Sequence, residues 1–147
     1  GSYEAQKAAE SIVKAFSGQL LLIDSGAKPL YHAAACVLSN YTVALSYIAD
    51  GLLRAAGIDA ETGVRALAPL AAKTVRNIEL LGPEDALTGP ISRGDSGVIA
   101  QHIDAMRKRC PEFIDTYKTL GKTALEIALK KGIISEENER KLRELLT

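Results

Sequence analysis

The sequence has few cysteines, no excess of charge of either sign and no glycine-rich phosphate motif. Cys36 and Cys110 are too few and too scattered for a disulfide framework or a zinc site, so we expect two reduced thiols in a cytoplasmic protein. Eighteen Lys and Arg balance eighteen Asp and Glu without a long block of one sign, which argues against a nucleic-acid partner. Neither G-x-G-x-x-G nor G-x-x-x-x-G-K-[ST] occurs, so the chain has no phosphate cradle of its own.

The sequence also shows no signal-peptide pattern and no clear membrane span. We expect Gly1 and Ser2 to be left over from expression, ahead of a chain already under way. Residues 33–49 carry no charge and reach the lower limit of transmembrane length, but six of them are Ser, Asn, Thr or Tyr. We therefore expect a helix buried inside a soluble domain and no membrane partner.

Apolar residues recur at helical spacing along most of the chain, which predicts an all-α domain. The uncharged run indicates one long buried central helix from Ala27 to Ala56, ended by Gly57. The apolar segment "QLLLID", residues 19–24, is the single predicted strand. Further helices are expected at 4–16, at 60–81 with a kink at Pro69, at 96–108, at 111–131 and after Ser135, with a long loop at 82–97.

A polar stripe crosses the predicted central helix. At about 100° per residue, Lys28, His32 and Ser39 fall within about 60° of one another, and Asn40 lies toward the edge. Each residue taken alone has a simpler explanation. The lysine is solvated, and the histidine is hydrogen-bonded in a core. Ser39 and Asn40 form hydrogen bonds to the backbone or to a neighbouring helix. Taken together, they suit a cavity that orients a carbonyl or carboxylate and transfers a proton.

The loop "TGPISRGD" holds a second group of candidates. Asp95 or Ser96 has the residue type that caps the following helix, and Arg93 is then simply solvated. The alternative is that Arg93 binds a substrate carboxylate or a cofactor phosphate, with His102 two turns into the helix and nearly in line with Asp95.

The segments "AKPLYHAAACVLSNYTVAL", "ALAPLAAKTVRNIELLGPEDALTGPISRGD" and "YKTLGKTALEIALKKG" together resemble a known family. It is the helical C-terminal domain, of the type called domain of unknown function 2520, of Rossmann-like oxidoreductases. Its plan is similar to the C-terminal domains of 6-phosphogluconate, 3-hydroxyacid and ketopantoate-reducing dehydrogenases. The resemblance extends from about Leu20 to the C-terminus.

The resemblance implies an N-terminal nucleotide-binding domain, a substrate cleft between the two domains and a homodimer formed through the helices. Residues 1–24 are then the last helix and strand of the nucleotide-binding half, and 25–147 the substrate-binding and dimerisation domain. Lys28 and His32 match the cleft-facing positions of the wider group, although His32 stands where the better-known enzymes use asparagine. NADP or NAD is expected in the full-length protein and none for this chain alone. The alternative is a non-catalytic helical module for dimerisation or small-ligand binding.

Overall fold

The computed structural model describes residues 2–147, which form seven α-helices and no strand, so the all-α class is confirmed. The helices are α1 (Tyr3–Ala15), α2 (Lys28–Leu38), α3 (Asn40–Ala55), α4 (Ala60–Ala86), α5 (Ser96–Arg109), α6 (Ile114–Lys130) and α7 (Glu136–Leu146). Short 3₁₀ turns lie at Ser25–Ala27, Ile91–Arg93 and Pro111–Phe113. The chain divides into an N-terminal unit that ends at Val43 and a C-terminal unit from Ala44 to Thr147.

Side-chain caps explain where several helices begin. The carboxylate of Asp59 accepts a hydrogen bond from the backbone N–H of Thr62 at 2.9 Å, which starts α4. The hydroxyl of Ser135 accepts one from Asn138 and starts α7, as predicted. At the end of α3, Gly57 has a φ of 87°, a left-handed conformation that glycine adopts without strain, so the predicted end of this helix is confirmed.

The predicted central helix differs from the structure in two ways. It is divided at Ser39, which lies between α2 and α3 with φ −97° and ψ −66°. The backbone N–H of Ser39 still donates to the carbonyl of Ala35 at 2.9 Å, so the helical bonding nearly continues across the division. The expectation of burial is wrong within the described chain, because no residue of α2 or α3 is buried. By length and composition alone, Ser25–Ala55 is apolar enough to cross a membrane.

The predicted strand at 19–24 is absent from the described residues. These residues form neither helix nor strand, and the apolar side chains from Leu20 to Ile23 are exposed. A strand is stabilised by hydrogen bonds to a neighbouring strand, and residues 2–147 form no other strand to provide them. The apolar composition of residues 19–24 was therefore not enough to make them a strand.

The helix expected at 60–81 ends where predicted, at a break in the backbone, but a short helical part follows, and the kink expected at Pro69 is absent from the backbone dihedrals. Within Ala60–Ala86 the backbone leaves helical dihedrals at Gly82, with φ 80° and ψ 165°, and not at Pro69. A further helical turn follows this break, so the loop predicted for 82–97 begins only after Ala86 and contains the 3₁₀ turn Ile91–Arg93. Glycine at position 82 permits the left-handed φ that separates the two helical parts.

The core of the C-terminal unit is formed by α5, α6 and α7. Its largest fully buried side chains are Ile99, Leu125, Leu142 and Leu146. The predicted inner face of α5 is confirmed, since Ile99, Ile103 and Met106 are all buried there. This packing holds one face of α5 inward and leaves the rest of the helix available to line a cavity.

We predict that Gly51→Ala destabilises the C-terminal unit although alanine is the better helix former. A Cβ at this position would lie 2.6 Å from Cζ of Phe113 and even nearer to Cε2 of the same ring. Overpacking of this kind costs about 1–3 kcal/mol, more than the roughly 1 kcal/mol that alanine gains in a helix. Urea unfolding followed by circular dichroism measures the difference.

The control for this prediction is Gly97→Ala in α5, where a new Cβ meets nothing nearer than an Asp95 oxygen at 3.6 Å. That variant should be slightly more stable than the parent. In a Phe113→Ala background, Gly51→Ala should become stabilising, because the ring that it strikes is gone. A destabilising effect that persists without the ring would show that another contact is responsible.

Candidate functional site

The polar stripe of the N-terminal unit is built on α2. The Asp24 carboxylate accepts a hydrogen bond from the backbone N–H of Gly26 at 2.7 Å, which shapes the 3₁₀ turn leading into the helix. Lys28 is the first residue of α2, and Pro29 fits the first turn because its missing N–H is not needed there. His32 follows Lys28 by one turn, so both side chains lie on the same side of the helix.

Lys28, His32, Ser39 and Asn40 are all exposed. None of their side chains makes a hydrogen bond or an ion pair within residues 2–147. The interpretation of His32 as a hydrogen-bonded core histidine is therefore wrong for the described chain. The hydrogen-bond donors and acceptors of this stripe are therefore available to bind another molecule.

The loop before α5 uses its aspartate structurally. The Asp95 carboxylate accepts a hydrogen bond from the backbone N–H of Val98 at 3.0 Å and caps the helix. Gly94 is buried with φ 71°, a left-handed conformation that favours glycine, and a Cβ there would lie 3.3 Å from the Asn138 amide nitrogen, a tight contact. Arg93 is exposed and forms no ion pair among the described residues.

His102 forms the most specific polar contact in the C-terminal unit. Its Nδ1 lies 2.9 Å from the hydroxyl of Tyr117 on α6, and the two rings meet edge to face with centroids 6.0 Å apart. Burial raises the pKa of the Tyr117 phenol, so the hydroxyl keeps its proton at neutral pH. The contact forms with either arrangement of the hydrogens: the phenol donates to Nδ1, or Nδ1–H donates to the phenolic oxygen.

This pair lines a cavity of about 660 Å³ between the end of α3, α5 and α6. A volume of this size is typical of small-molecule sites, which range from about 300 to 1,000 Å³. Aliphatic and sulfur-containing side chains form the greater part of the wall, namely Leu52, Ala55, Ala56, Ala105, Met106 and Cys110. Polar side chains complete the lining, namely Gln101, His102, Asp104, Lys108, Arg109 and Tyr117.

The charged side chains around the cavity are not equivalent. The Lys108 ammonium lies 2.6 Å from an Asp104 carboxylate oxygen, and this ion pair lowers the pKa of Asp104. The Arg109 guanidinium donates to the backbone carbonyl of Ala55 at 3.1 Å and has no carboxylate partner in the described chain. One positive charge at this cavity is therefore not balanced by a neighbouring carboxylate.

The candidate residues fall into two groups. Lys28, His32, Ser39 and Asn40 belong to the N-terminal unit, whereas Arg93, Asp95 and His102 belong to the C-terminal unit. Within the C-terminal unit, His102 lines the cavity, and Arg93 and Asp95 do not. The sequence analysis missed Tyr117 and Arg109. Helical spacing places Arg109 two turns after His102 on one face of α5, but no sequence signal pairs His102 with a tyrosine on another helix.

Comparison with known proteins identifies one family. A family model described as a domain of unknown function (DUF2520) matches residues 1–124. The match includes residues 1–19, which the resemblance left out, and ends before the C-terminus. No curated protein and no solved structure matches the chain.

We predict that Tyr117→Phe reduces the loss of stability at alkaline pH. The folded state raises the pKa of this phenol, so the unfolded chain ionises first as the pH rises. The stabilising contribution is thus complete below about pH 10 and is lost as the pH rises through the folded pKa. Free energies of unfolding in urea between about pH 8.5 and 11 should fall less steeply for the variant than for the parent.

Tyr47→Phe is the matched control, because Tyr47 is 72% exposed. Its pH dependence should remain that of the parent. If Tyr117→Phe and Tyr47→Phe give the same pH dependence, the half-buried phenol of Tyr117 is not the group that titrates.

Proposed function

The chain belongs to the family described as domain of unknown function DUF2520. We propose, from the resemblance to the C-terminal domains of Rossmann-like oxidoreductases, that it is the substrate-binding and dimerisation domain of an NAD(P)-dependent oxidoreductase. The observation that carries the proposal is the division of α2 into two exposed faces. Lys28 and His32 lie on one side, and the apolar Leu30 and Val37 lie roughly opposite, at about 100° per residue. One side suits a polar substrate cleft and the other a protein interface.

On the polar side, each group has a role that fits its chemistry. Lys28 donates to a substrate carbonyl or carboxylate, and His32 donates a proton or orients the reacting group. Ser39 and Asn40 supply further hydrogen bonds to the substrate. Arg93, with an unpaired guanidinium, anchors an anionic group. His102 is the candidate substrate-binding residue on α5, whereas Asp95 caps this helix through the backbone N–H of Val98.

We assign the cofactor, NADP or NAD, to a separate nucleotide-binding domain that precedes this one. The exposed apolar run from Leu20 to Ile23 supports this assignment, because a strand with both faces buried in a parallel sheet has this composition. Hydride transfer then takes place in a cleft of which this chain forms one wall. Two reduced thiols fit a cytoplasmic location.

A second copy of the chain is the partner that we propose for the apolar side of α2. Leu30, Val37 and Leu38 are 77%, 58% and 69% exposed, and Tyr41 follows at the start of α3 with 59%. Exposed apolar patches of this kind mark interfaces, and most soluble oligomers are symmetric homodimers. The absence of charge between residues 33 and 49 favours contact with an identical apolar surface over contact with a charged partner.

We predict that the chain is a dimer at about 50 µM in multi-angle light scattering and that Val37→Glu converts it to a monomer. The substitution places a carboxylate in the centre of the apolar face, where burial against the partner would leave it unpaired. Ile133→Glu is the control, since Ile133 is 66% exposed outside the helices. That variant should remain a dimer. A monomeric parent, or a parent that floats with lipid vesicles, would contradict the proposal.

A non-catalytic module that binds a small ligand is the second candidate function. The cavity at His102 favours it, because this cavity is lined entirely by residues of the C-terminal unit. The two candidates differ in whether the full-length protein binds a nicotinamide cofactor and turns over a substrate.

We predict that the isolated chain does not bind NADPH or NADH in calorimetric titration, whereas the full-length protein binds one of them. Tight binding of the pyrophosphate requires backbone amides at a glycine-rich helix N-terminus. In the full-length enzyme, Lys28→Ala or His32→Ala should lower kcat about 100-fold or more, as loss of a positioned proton donor does, with nearly unchanged cofactor affinity. Turnover is measured with the compound that the parent reduces from a panel of small carbonyl substrates.

Lys73→Ala provides the matched control, because Lys73 is also an exposed lysine without an ion pair in the described chain. It should keep the kcat of the parent. Micromolar cofactor binding by the isolated chain would contradict the assignment of the cofactor to a separate nucleotide-binding domain. If both α2 variants keep full activity, Lys28 and His32 are not catalytic residues.

A further inference from the structure

One face of α5 lines the cavity between α3, α5 and α6, and it carries a polar side chain at each end. His102 and Arg109 are seven residues apart on α5, which separates them by about 10 Å along the helix axis on nearly the same side. Ala105 lies between them on this side, and Met106 is a neighbour in the cavity wall. The arrangement is a narrow apolar strip with a hydrogen-bonding group at one end and a cation at the other.

The cation end lacks an internal counterion. Asp104, the one carboxylate among the lining residues, is engaged by Lys108 at 2.6 Å. Arg109 uses one guanidinium N–H for the carbonyl of Ala55, and the other donors have no partner in the described chain. A guanidinium binds a carboxylate through two parallel hydrogen bonds, so a monocarboxylate matches the single unbalanced charge.

The other end offers the free ring nitrogen of a histidine. Tyr117 holds the Nδ1 side of the His102 ring, which fixes the ring and leaves Nε2 without a partner among the described residues. An oxygen or amide group of a ligand satisfies this nitrogen. The apolar strip between the two ends adds affinity in proportion to the surface that the ligand buries.

We propose that this cavity binds a small, elongated apolar carboxylate, with its carboxylate on Arg109 and its apolar body along Ala105, Met106 and Leu52. The inference goes beyond the proposed function, because it concerns a site complete within the C-terminal unit and requires neither a nucleotide-binding domain nor the α2 stripe. Its test therefore gives an answer whether or not the full-length protein is an oxidoreductase.

The first measurement uses 4-phenylbutanoate as the probe in an amide chemical-shift titration of the isotopically labelled chain. We expect saturable shifts at residues 52–56 and 101–117, with Kd in the range of about 0.1–1 mM that a ligand of this size reaches. The neutral 4-phenylbutanamide, which keeps the shape, should bind at least about fivefold more weakly. Acetate, which keeps only the carboxylate, should give no saturable shifts.

The second measurement repeats the titration with variants of α5. Arg109→Gln, which removes the charge but keeps hydrogen-bond donors, should weaken binding of 4-phenylbutanoate at least about fivefold and leave binding of the amide unchanged. Arg107→Gln is the control, because Arg107 lies on the same helix outside the cavity lining and should bind as the parent does. Ala105→Phe, which fills the strip, should abolish binding of both probes.

Three results would overturn the inference. The first is an amide probe that binds as tightly as the carboxylate. The second is a set of saturable shifts confined to α2 and α4, where exposed apolar side chains offer non-specific contact. The third is no binding up to the solubility limit, as expected if a second copy of the chain fills the cavity. Circular dichroism of each variant establishes that it is folded.

Discussion

The packing of α5, α6 and α7 around Leu125, Leu142 and Leu146 is the constraint on which the C-terminal unit depends. A close approach makes this packing possible, because a Cβ on Gly121 would lie 2.6 Å from a methyl group of Leu146. Ile99 and Ile103 belong to the same core, so this packing determines which side of α5 faces inward. The adjoining edge of α5 then carries His102 toward Tyr117 and Arg109 toward Ala55. The geometry of the cavity thus follows from a small core of side chains that take no part in its chemistry.

The N-terminal part of the chain differs, because its apolar surface is exposed. α2 and α3 are rich in apolar residues, yet none of their residues is buried in the described chain. The hydrophobic effect favours removal of such surfaces from water, so these helices are suited to contact with a further surface. The same reasoning applies to Leu20–Ile23, which has the composition of a strand without a neighbouring strand. The proposed dimer and the proposed nucleotide-binding domain each provide one of these missing surfaces.

Local sequence signals were sufficient for most helix boundaries. Ser135 and Asp95 have side chains that cap a helix, and Gly57 adopts the conformation that ends one, so these boundaries follow from residue type. The spacing of Ile99, Ile103 and Met106 also predicted correctly which side of α5 is buried. The break at Gly82 was also predicted, because a glycine followed by a proline ends a helical pattern. The kink expected at Pro69 was wrong, since the backbone keeps helical dihedrals there.

The sequence by itself determined the all-α class, the positions of the helices and the alignment of Lys28 with His32, because each depends on interactions within a few residues along the chain. Only the tertiary structure decided which apolar segments are covered, since burial depends on what other parts of the molecule supply. It also decided that His102 meets Tyr117 and that Arg109 has no carboxylate partner, because both facts depend on the packing of separate helices. A periodic pattern specifies one face of a helix, but it does not specify which residue of another helix lies against that face.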